Sequence, residues 1–463
     1  MKIKTTVITM LADQLTPVSA FLKIRDIAGN PSLLESNDYQ SFENSRSFVG
    51  FDPLIEFYTE DDRLIIDTLG RKESIAFSEQ TKLPDLLDQV RKKITVSGDD
   101  SEVNGFFGHI NFEGVRYFDT LEFESLENEF TVPDIHYFFY RYIIVFDHYR
   151  DELVLIENRP EDEPSDIMKI RKILLMGHYE EKSFTCDGPE TSDMTDDEYM
   201  ELVEKGKHHC KVGDVFQIVL SRKFIQPYKG DDFSVYRVLR SINPSPYLYY
   251  FDFGTYRIFG SSPESQLIIK EGKAQVNPIA GTYRRSGNDV EDSRRAVELS
   301  KDPKEVSEHT MLVDLARNDL GRHTDNVEVK SLMEVQYFSH VIHLVSTVEG
   351  KLPKEYNPFR VYGDTFPAGT LSGAPKIMAM ELINKYEHST RHFYGGGIGY
   401  FGLDGSITQA IVIRSFLSHD SILYSRAGAG VVISSKKEKE LQEVNNKLAA
   451  LKSALKKAEE IFS

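Results

Sequence analysis

Tryptophan is absent from the 463-residue sequence, and cysteine occurs only at Cys186 and Cys210. Without tryptophan, any indole emission from a sample must come from a ligand. Two cysteines in so long a chain exclude a disulfide framework and point to a reducing, cytoplasmic setting. Neither lies in a C-x-x-C pair or in the Gly-x-Cys-x-Gly turn of a glutamine amidotransferase nucleophile. No stretch reaches the roughly 18 consecutive apolar residues of a membrane helix, and the apolar start is broken by threonines and ends at Asp13, so no membrane is expected. Basic charge is also short: 55 lysines and arginines face 73 aspartates and glutamates, giving a net charge of -18. Such a field repels phosphate backbones and anionic lipid, which argues against nucleic acid as a partner. An anionic substrate must therefore be held by local arginines, backbone N–H groups or a metal.

What is present reads as a globular enzyme. Hydrophobic residues make up 40% of the chain, enough for a sizeable core. In the N-terminal part, "FFGHINFEGVRYF" (106–118) and "DIHYFFYRYIIVFDH" (134–148) alternate with period two, as strands do. Between Glu157 and Glu198 the chain turns polar and acidic, which sets an N-terminal region, 1–188, apart from a second region, 189–463. A capped helix is expected from about Asp196, then a turn at Gly213 and a strand over 215–224. The order of elements is not a regular βαβ alternation, so the predicted class is α+β with large antiparallel sheets.

Two Glu-x-x-Glu pairs stand out. In "SKDPKEVSEHTMLVDLARNDLGR", Asp302 is a good N-cap, Pro303 fits the first helical position and Gly321 is a natural stop. Glu305, Glu308, Leu312 and Leu315 then share one face of the helix. In "SSKKEKELQEVNNKLAALKSALKKAEE", Leu441, Val444, Leu448, Leu451 and Leu455 form an apolar stripe that Glu440 and Glu443 edge. Singly, each glutamate has a structural alternative: Glu305 could close a capping box with Asp302, and Glu443 could pair with Lys447. Together they could hold a hard divalent cation, and Mg2+ characteristically uses one or two carboxylates, keeps waters and completes its shell from an anionic substrate.

The stretches "FPAGTLSGAPK" (366–376), "GGGIGYF" (395–401) and "AGAGVV" (427–432) lack the spacing of a nucleotide-binding P-loop. Their glycines are either turns or loops whose N–H groups converge on a carboxylate, with Arg414 in "ITQAIVIRSF" as the fork for that carboxylate. In "VQYFSHVIHLVSTVEG", period two places His343 with Tyr337, Val341 and Val345, and His340 on the opposite face. His343 is a core histidine or, beside a metal and an anion site, a general acid or base.

The blocks "PIAGTYRR", "EHTMLVDLARNDLGR", "FSHVIHLVSTVEG", "FPAGTLSGAPK", "GGGIGYF", "ITQAIVIRSF" and "AGAGVVISSKKEKELQEVNNK" resemble, in this order, the chorismate-utilising enzymes, and within them the large-subunit (component I) family of anthranilate synthases. The strong similarity covers about Asp196 to the end of the sequence. The resemblance implies an αββα sandwich of large antiparallel sheets flanked by helices, with the N-terminal region interwoven. It implies Mg2+ on Glu308 and Glu443, supported through water by Glu305 and Glu440. It implies that Arg414, Tyr400, Thr370 and the Gly430 backbone hold the carboxylates of chorismate, in a site that Ala280, Gly281, Ala368, Gly369 and Gly428 help to form, and that Thr282 and His343 serve the chemistry.

Relatives that make 4-amino-4-deoxychorismate carry a lysine nucleophile where Ala280 stands, and those that hydroxylate carry a lysine base where Gln217 stands. The implied reaction is direct attack of ammonia on chorismate, giving anthranilate and pyruvate. An aminodeoxychorismate synthase, an isochorismate synthase and a catalytically silent tryptophan-binding subunit are the alternatives. With no glutaminase turn in the chain, the ammonia is expected from a separate glutamine amidotransferase subunit. The segment "NPSLLESNDYQSFENSRSFVGFDP" resembles the family's tryptophan-feedback segment, with Leu34, Glu35 and Ser36 on one wall and Pro246, Tyr247 and Leu248 on the other.

Overall fold

The computed structural model describes the chain except residues 37–45, 79–81, 100–102, 120, 122, 124, 125, 127–129, 339 and 340. His340 and the middle of the feedback segment thus lie outside the described residues.

The strand Ile135–Asp147 is the joint of the fold. One edge pairs along its length with Arg46–Glu60, and the other pairs first with Gly105–Ile110 and then with Glu152–Pro160. From this joint one sheet continues through Gly105–Ile110, Gly397–Gly402, Ile407–Ile411, Ser265–Lys270, Lys273–Val276 and Val341–Lys351. The other continues from Arg46–Glu60 through Ser32–Glu35, Tyr247–Asp252, Tyr256–Ser262, Ser415–His419 and Ile422–Val431 to Gln217–Gly230. All these pairings are antiparallel. Strands from the first half of the sequence therefore sit between strands from the second.

Side-chain alternation sorts the core into layers. Phe107, Phe138, Tyr249, Phe251, Ile398 and Leu417 pack in one cluster drawn from both sheets, so it lies between them. Phe416, the neighbour of Leu417, points the other way, into the cluster that holds Leu220, Ala427 and Ala429 with Leu448, Leu451 and Leu455 of the helix Lys437–Phe462. Helix, sheet, sheet and helix follow one another as the alternation dictates, which is the expected αββα sandwich. Among the described residues no helix is long and apolar enough to cross a membrane.

Local expectations hold where caps are strong. The helix Asp196–Val212 starts with a capping box between Thr195 and Glu198 and stops at Gly213, whose φ is +90°. The strand after it is Gln217–Gly230, longer than the expected 215–224 because its far end gains a partner in Phe184–Cys186. The expected strand over 106–118 ends at Ile110 and becomes a 3-10 turn, Phe112–Tyr117. Its buried apolar side chains, Phe112 and Val115, are three apart, a spacing that the run of aromatics disguised as alternation.

Candidate active site

Where the first sheet meets the helix Pro303–Gly321, the strand Ile279–Arg284 carries a bulge at Gly281: Ala280 pairs with Leu344, Thr282 with His343, and Gly281 takes φ +74°. That left-handed turn is what glycine permits at little cost. A Cβ there would meet Leu299 Cδ1 at 3.0 Å and Glu305 Oε2 at 3.2 Å, so the bulge also brings the strand against Glu305. The turn aims the Gly281 carbonyl at His343, whose Nδ1 lies 3.0 Å from Gly281 O and 3.1 Å from Thr282 Oγ1. A carbonyl only accepts, so the hydrogen-bond network assigns the proton to Nδ1 and leaves a lone pair on Nε2. That Nε2 is buried without a partner among the described residues. Burial lowers the His343 pKa to about 4, so near neutral pH it is an uncharged base.

His343 and Thr282 line a cavity of about 140 Å³ together with Glu264, Thr370, Arg414 and Lys447. Arg414 sits at φ +51°; its carbonyl accepts from Ser261 N at 3.2 Å, its guanidinium makes no hydrogen bond or ion pair among the described residues, and burial lowers its pKa. The acid that acts on it is Glu264, but Glu264 is only 7% exposed, and burial, against the hydrogen bond from Thr370 Oγ1 (3.1 Å), raises its pKa to about 8. Near neutral pH the guanidinium therefore faces a neutral carboxyl, and a buried cation without a counter-ion calls for an anionic ligand. Lys447 adds a second cation: Nζ donates to Gly428 O at 2.8 Å and pairs with Glu443 Oε1 at 2.8 Å. Its side chain is 42% exposed and also lines the cavity. Burial opposes its charge and the Glu443 carboxylate more than restores it.

The glutamate pairs stand at the rim. Asp302 caps Pro303–Gly321 by accepting from the N–H groups of Lys304 and Glu305, and no capping box forms, so the Glu305 side chain turns to Gly281 instead. On Lys437–Phe462, Glu440 is buried, whereas Glu443 is open and makes the pair with Lys447 that helical spacing allowed. Burial pushes Glu308 up to about 7, with Glu305, Glu443 and Glu440 adding repulsion against the relief from Lys304. Glu305 and Glu440 are raised for the same leading reason. Such mutual repulsion fits a hard cation. Among the described residues no three His, Cys, Asp or Glu side chains converge on one point.

Not every expected residue reaches the cavity. Thr282, Thr370, Arg414, His343 and Gly428 line it; Ala280, Gly281 and Gly430 lie beside it in the backbone, and Ala368 and Gly369 line a smaller neighbouring chamber. Tyr400 does not line it: its hydroxyl donates to Asn104 O at 3.3 Å and its ring packs on Phe107 between the sheets. The tyrosine on the cavity wall is Tyr394, six residues earlier in the same run. The other residues missed in the sequence are Glu264 and Lys447. At a distance from this site, Leu34 and Glu35 lie on Ser32–Glu35 beside Tyr247–Asp252, so the two proposed effector walls are adjacent strands. The Glu35 carboxylate accepts from Tyr236 Oη at 2.7 Å and from Arg240 Nε at 2.8 Å.

Residues 32–453 match the family described as chorismate binding enzyme. The chain belongs to that family. Anthranilate synthase component 1 of Geobacillus stearothermophilus is 36% identical over 98% of this chain and 94% of its own length. The enzyme of the same name from Aquifex aeolicus is 34% identical over 97% and 94%. The crystal structure of anthranilate synthase component I from Streptococcus pneumoniae superposes with a TM-score of 0.78 at 31% identity, covering 96% of this chain and 99% of that one. The similarity thus reaches well before Asp196, where the strong resemblance in the sequence began, and takes in the strand Ser32–Glu35.

Proposed function

We propose that the chain is the synthase subunit that converts chorismate and ammonia into anthranilate and pyruvate. The observation that carries this is the cavity itself: two cations with room for an anion, a protonated acid, Glu264, and an uncharged base, His343, facing one space. Arg414 and Lys447 hold the carboxylates. Ammonia adds at C2 as the C4–O bond breaks, and Glu264 gives its proton to the departing oxygen, which leaves as water. The new ammonium loses one proton. His343 Nε2 then takes the C2 proton as the bond between the ring and the enolpyruvyl oxygen breaks, the ring becomes aromatic, and the enolpyruvate that leaves takes up a proton at its methylene carbon to become pyruvate.

Glu308 and Glu443, with Glu305 and Glu440 through water, would hold Mg2+, whose chemistry here is to neutralise carboxylate charge. Direct amination, rather than a lysine adduct or hydroxylation, is supported by Ala280 and Gln217, neither of which can act as nucleophile or base toward the ring. The name component 1 of its relatives supports a second, ammonia-supplying subunit. Tryptophan as a feedback inhibitor is supported by the seam of Ser32–Glu35 and Tyr247–Asp252, where Glu35 keeps acceptor capacity beside an aromatic wall.

The test is a single assay of the isolated chain with chorismate, Mg2+ and an ammonium salt, read by anthranilate fluorescence. Anthranilate should form with ammonium and not with glutamine. A product convertible to 4-aminobenzoate, or turnover without any amine, would overturn the reading.

A further inference from the structure

Glu264 and Thr370 line a second, smaller chamber as well as the main cavity, so the acid stands in the wall between the two. The chamber has a volume of about 30 Å³, room for a water molecule. Its walls are partly apolar, from Leu312, Leu315 and Ala316, and partly polar, from Gln266 and Asp319.

Gln266 is 2% exposed, and its Nε2 donates to Thr365 O at 3.0 Å. A carbonyl cannot donate, so the amide cannot be turned round, and Oε1 is left facing away from Thr365. That Oε1 is buried with no partner among the described residues. Asp319, 7% exposed, accepts from Lys376 Nζ at 2.8 Å, and the same ammonium reaches Thr365 O at 3.2 Å. Burial raises the Asp319 pKa against the pull of Lys376, and Arg322 and Asp364 also act on it, which places the pair toward the ionic surface where Arg322 meets Asp364. The chamber therefore offers an orphaned acceptor beside a carboxyl group that must be recharged in every turnover. An occupant must be a small hydrogen-bond donor.

We propose that this chamber holds an ordered water, donated to Gln266 Oε1 and in contact with Glu264, through which Glu264 regains its proton from the Asp319–Lys376 side. The inference rests on the reading of Glu264 as the acid of the reaction. The protons balance: Glu264 loses one to the C4 oxygen and takes one from the chamber water, which is itself replenished from solvent, while the aminated carbon's nitrogen sheds one into the main cavity. Gln266, Asp319 and Lys376 act through the water and are positioning residues. Ammonia is the other small donor that the chamber could take, and the assay separates the two.

Two variants address the chamber without touching the reacting atoms. Gln266→Leu removes the acceptor, and Ala316→Val fills the space with methyl groups while leaving every polar group in place. Anthranilate formation from ammonium would be measured in H2O and in D2O, with thermal unfolding as the check on folding. In both variants kcat should fall by about tenfold or more, the chorismate KM should stay within about twofold, and the solvent isotope effect on kcat should rise above that of the wild type as reprotonation becomes limiting. Wild-type kcat and isotope effect in a folded Ala316→Val or Gln266→Leu protein overturn the relay. A raised KM for ammonium with an unchanged isotope effect also overturns it, assigning the chamber to ammonia. Glu264→Gln distinguishes the two levels: if it is inactive while the chamber variants behave as wild type, only the relay falls, and if it keeps wild-type kcat, the acid role and the relay fall together.

Discussion

Neutralising Glu387 tests how the cavity wall is held. Its side chain is 1% exposed and lies between two guanidinium groups that are equally buried. It accepts from Ser221 N at 2.8 Å, Ser221 Oγ at 2.9 Å, Arg391 Nε at 2.9 Å, Arg391 Nη2 at 2.6 Å and Arg426 Nη1 at 2.8 Å. Arg391 passes the order on to Leu371 O and Val219 O, each at 2.7 Å, and Leu371, Val219 and Arg426 all line the cavity. In Glu387→Gln the shape survives, but one oxygen becomes an NH2 group set among donors, Arg391 loses its carboxylate partner, and Arg426 is left with Asp193 Oδ2 at 3.7 Å. Breaking a buried pair in this way costs about 3–5 kcal/mol, a large part of the roughly 5–15 kcal/mol by which a native protein is stable. Urea and thermal unfolding followed by circular dichroism should show that loss, and kcat/KM should fall with it because the wall loosens. The pH sign follows from the depressed pKa: burial works against the carboxylate, but Arg391, Arg426 and Ser221 overcome it. The stabilisation is thus present above the ordinary glutamate range and is lost as pH falls through the folded value, so the wild type should approach the variant in acid. A variant within about 1 kcal/mol of wild type at neutral pH, where the charge is fully developed, would refute the reasoning.

For the acid role, kcat/KM divided by the free ammonia concentration should decline as pH rises through about 8, the pKa to which burial raises Glu264; a profile flat through that pH removes the assignment. Glu264→Gln should lower kcat by about 10²- to 10⁴-fold at neutral pH, measured by anthranilate fluorescence. Glu308→Gln and Glu443→Gln should fold normally by circular dichroism yet lose activity, since an amide keeps the shape and not the charge; full activity at low Mg2+ in either variant would sink the ligand assignment. Because the chain has no tryptophan of its own, titrated tryptophan supplies the only indole emission, and Ser36→Phe should abolish its binding; unchanged affinity would place the effector elsewhere.

Much of the architecture was legible because it rests on local signals. Asp302, Pro303 and the spacing of Glu305, Glu308 and Leu312 set the helix Pro303–Gly321 within a residue at each end. His343 and Arg414 were found from strand position and chemistry, and both line the cavity. The residues missed share a different property. Glu264 sits among serines and one proline with no periodicity, and what makes it an acid is burial beside Thr370, 106 positions away in sequence. Lys447 looks like half of an ordinary i, i+4 surface pair, which it also is; only the fold shows that it lines the cavity as well. Tyr394 and Tyr400 belong to one glycine-rich run, and the strand Gly397–Gly402 decides between them by carrying Tyr400 into the inter-sheet layer.

A chain of net charge -18 that receives an anion must solve the problem locally, and the arrangement of charge within the cavity shows how. Arg414 has no anion of its own because its neighbour Glu264 is protonated, and Lys447 is anchored to a glutamate at the rim rather than in the interior. The cations are therefore held for the ligand. The carboxyl groups that the fold gathers nearby, Glu305, Glu308, Glu440 and Glu443, stand to one side, where burial and mutual repulsion raise three of them and a divalent ion would relieve the repulsion. If the proposed divalent ion binds there, cation and anion would relieve opposite halves of one electrostatic imbalance, each would make the other's binding less costly, and the coupling would be reciprocal by linkage.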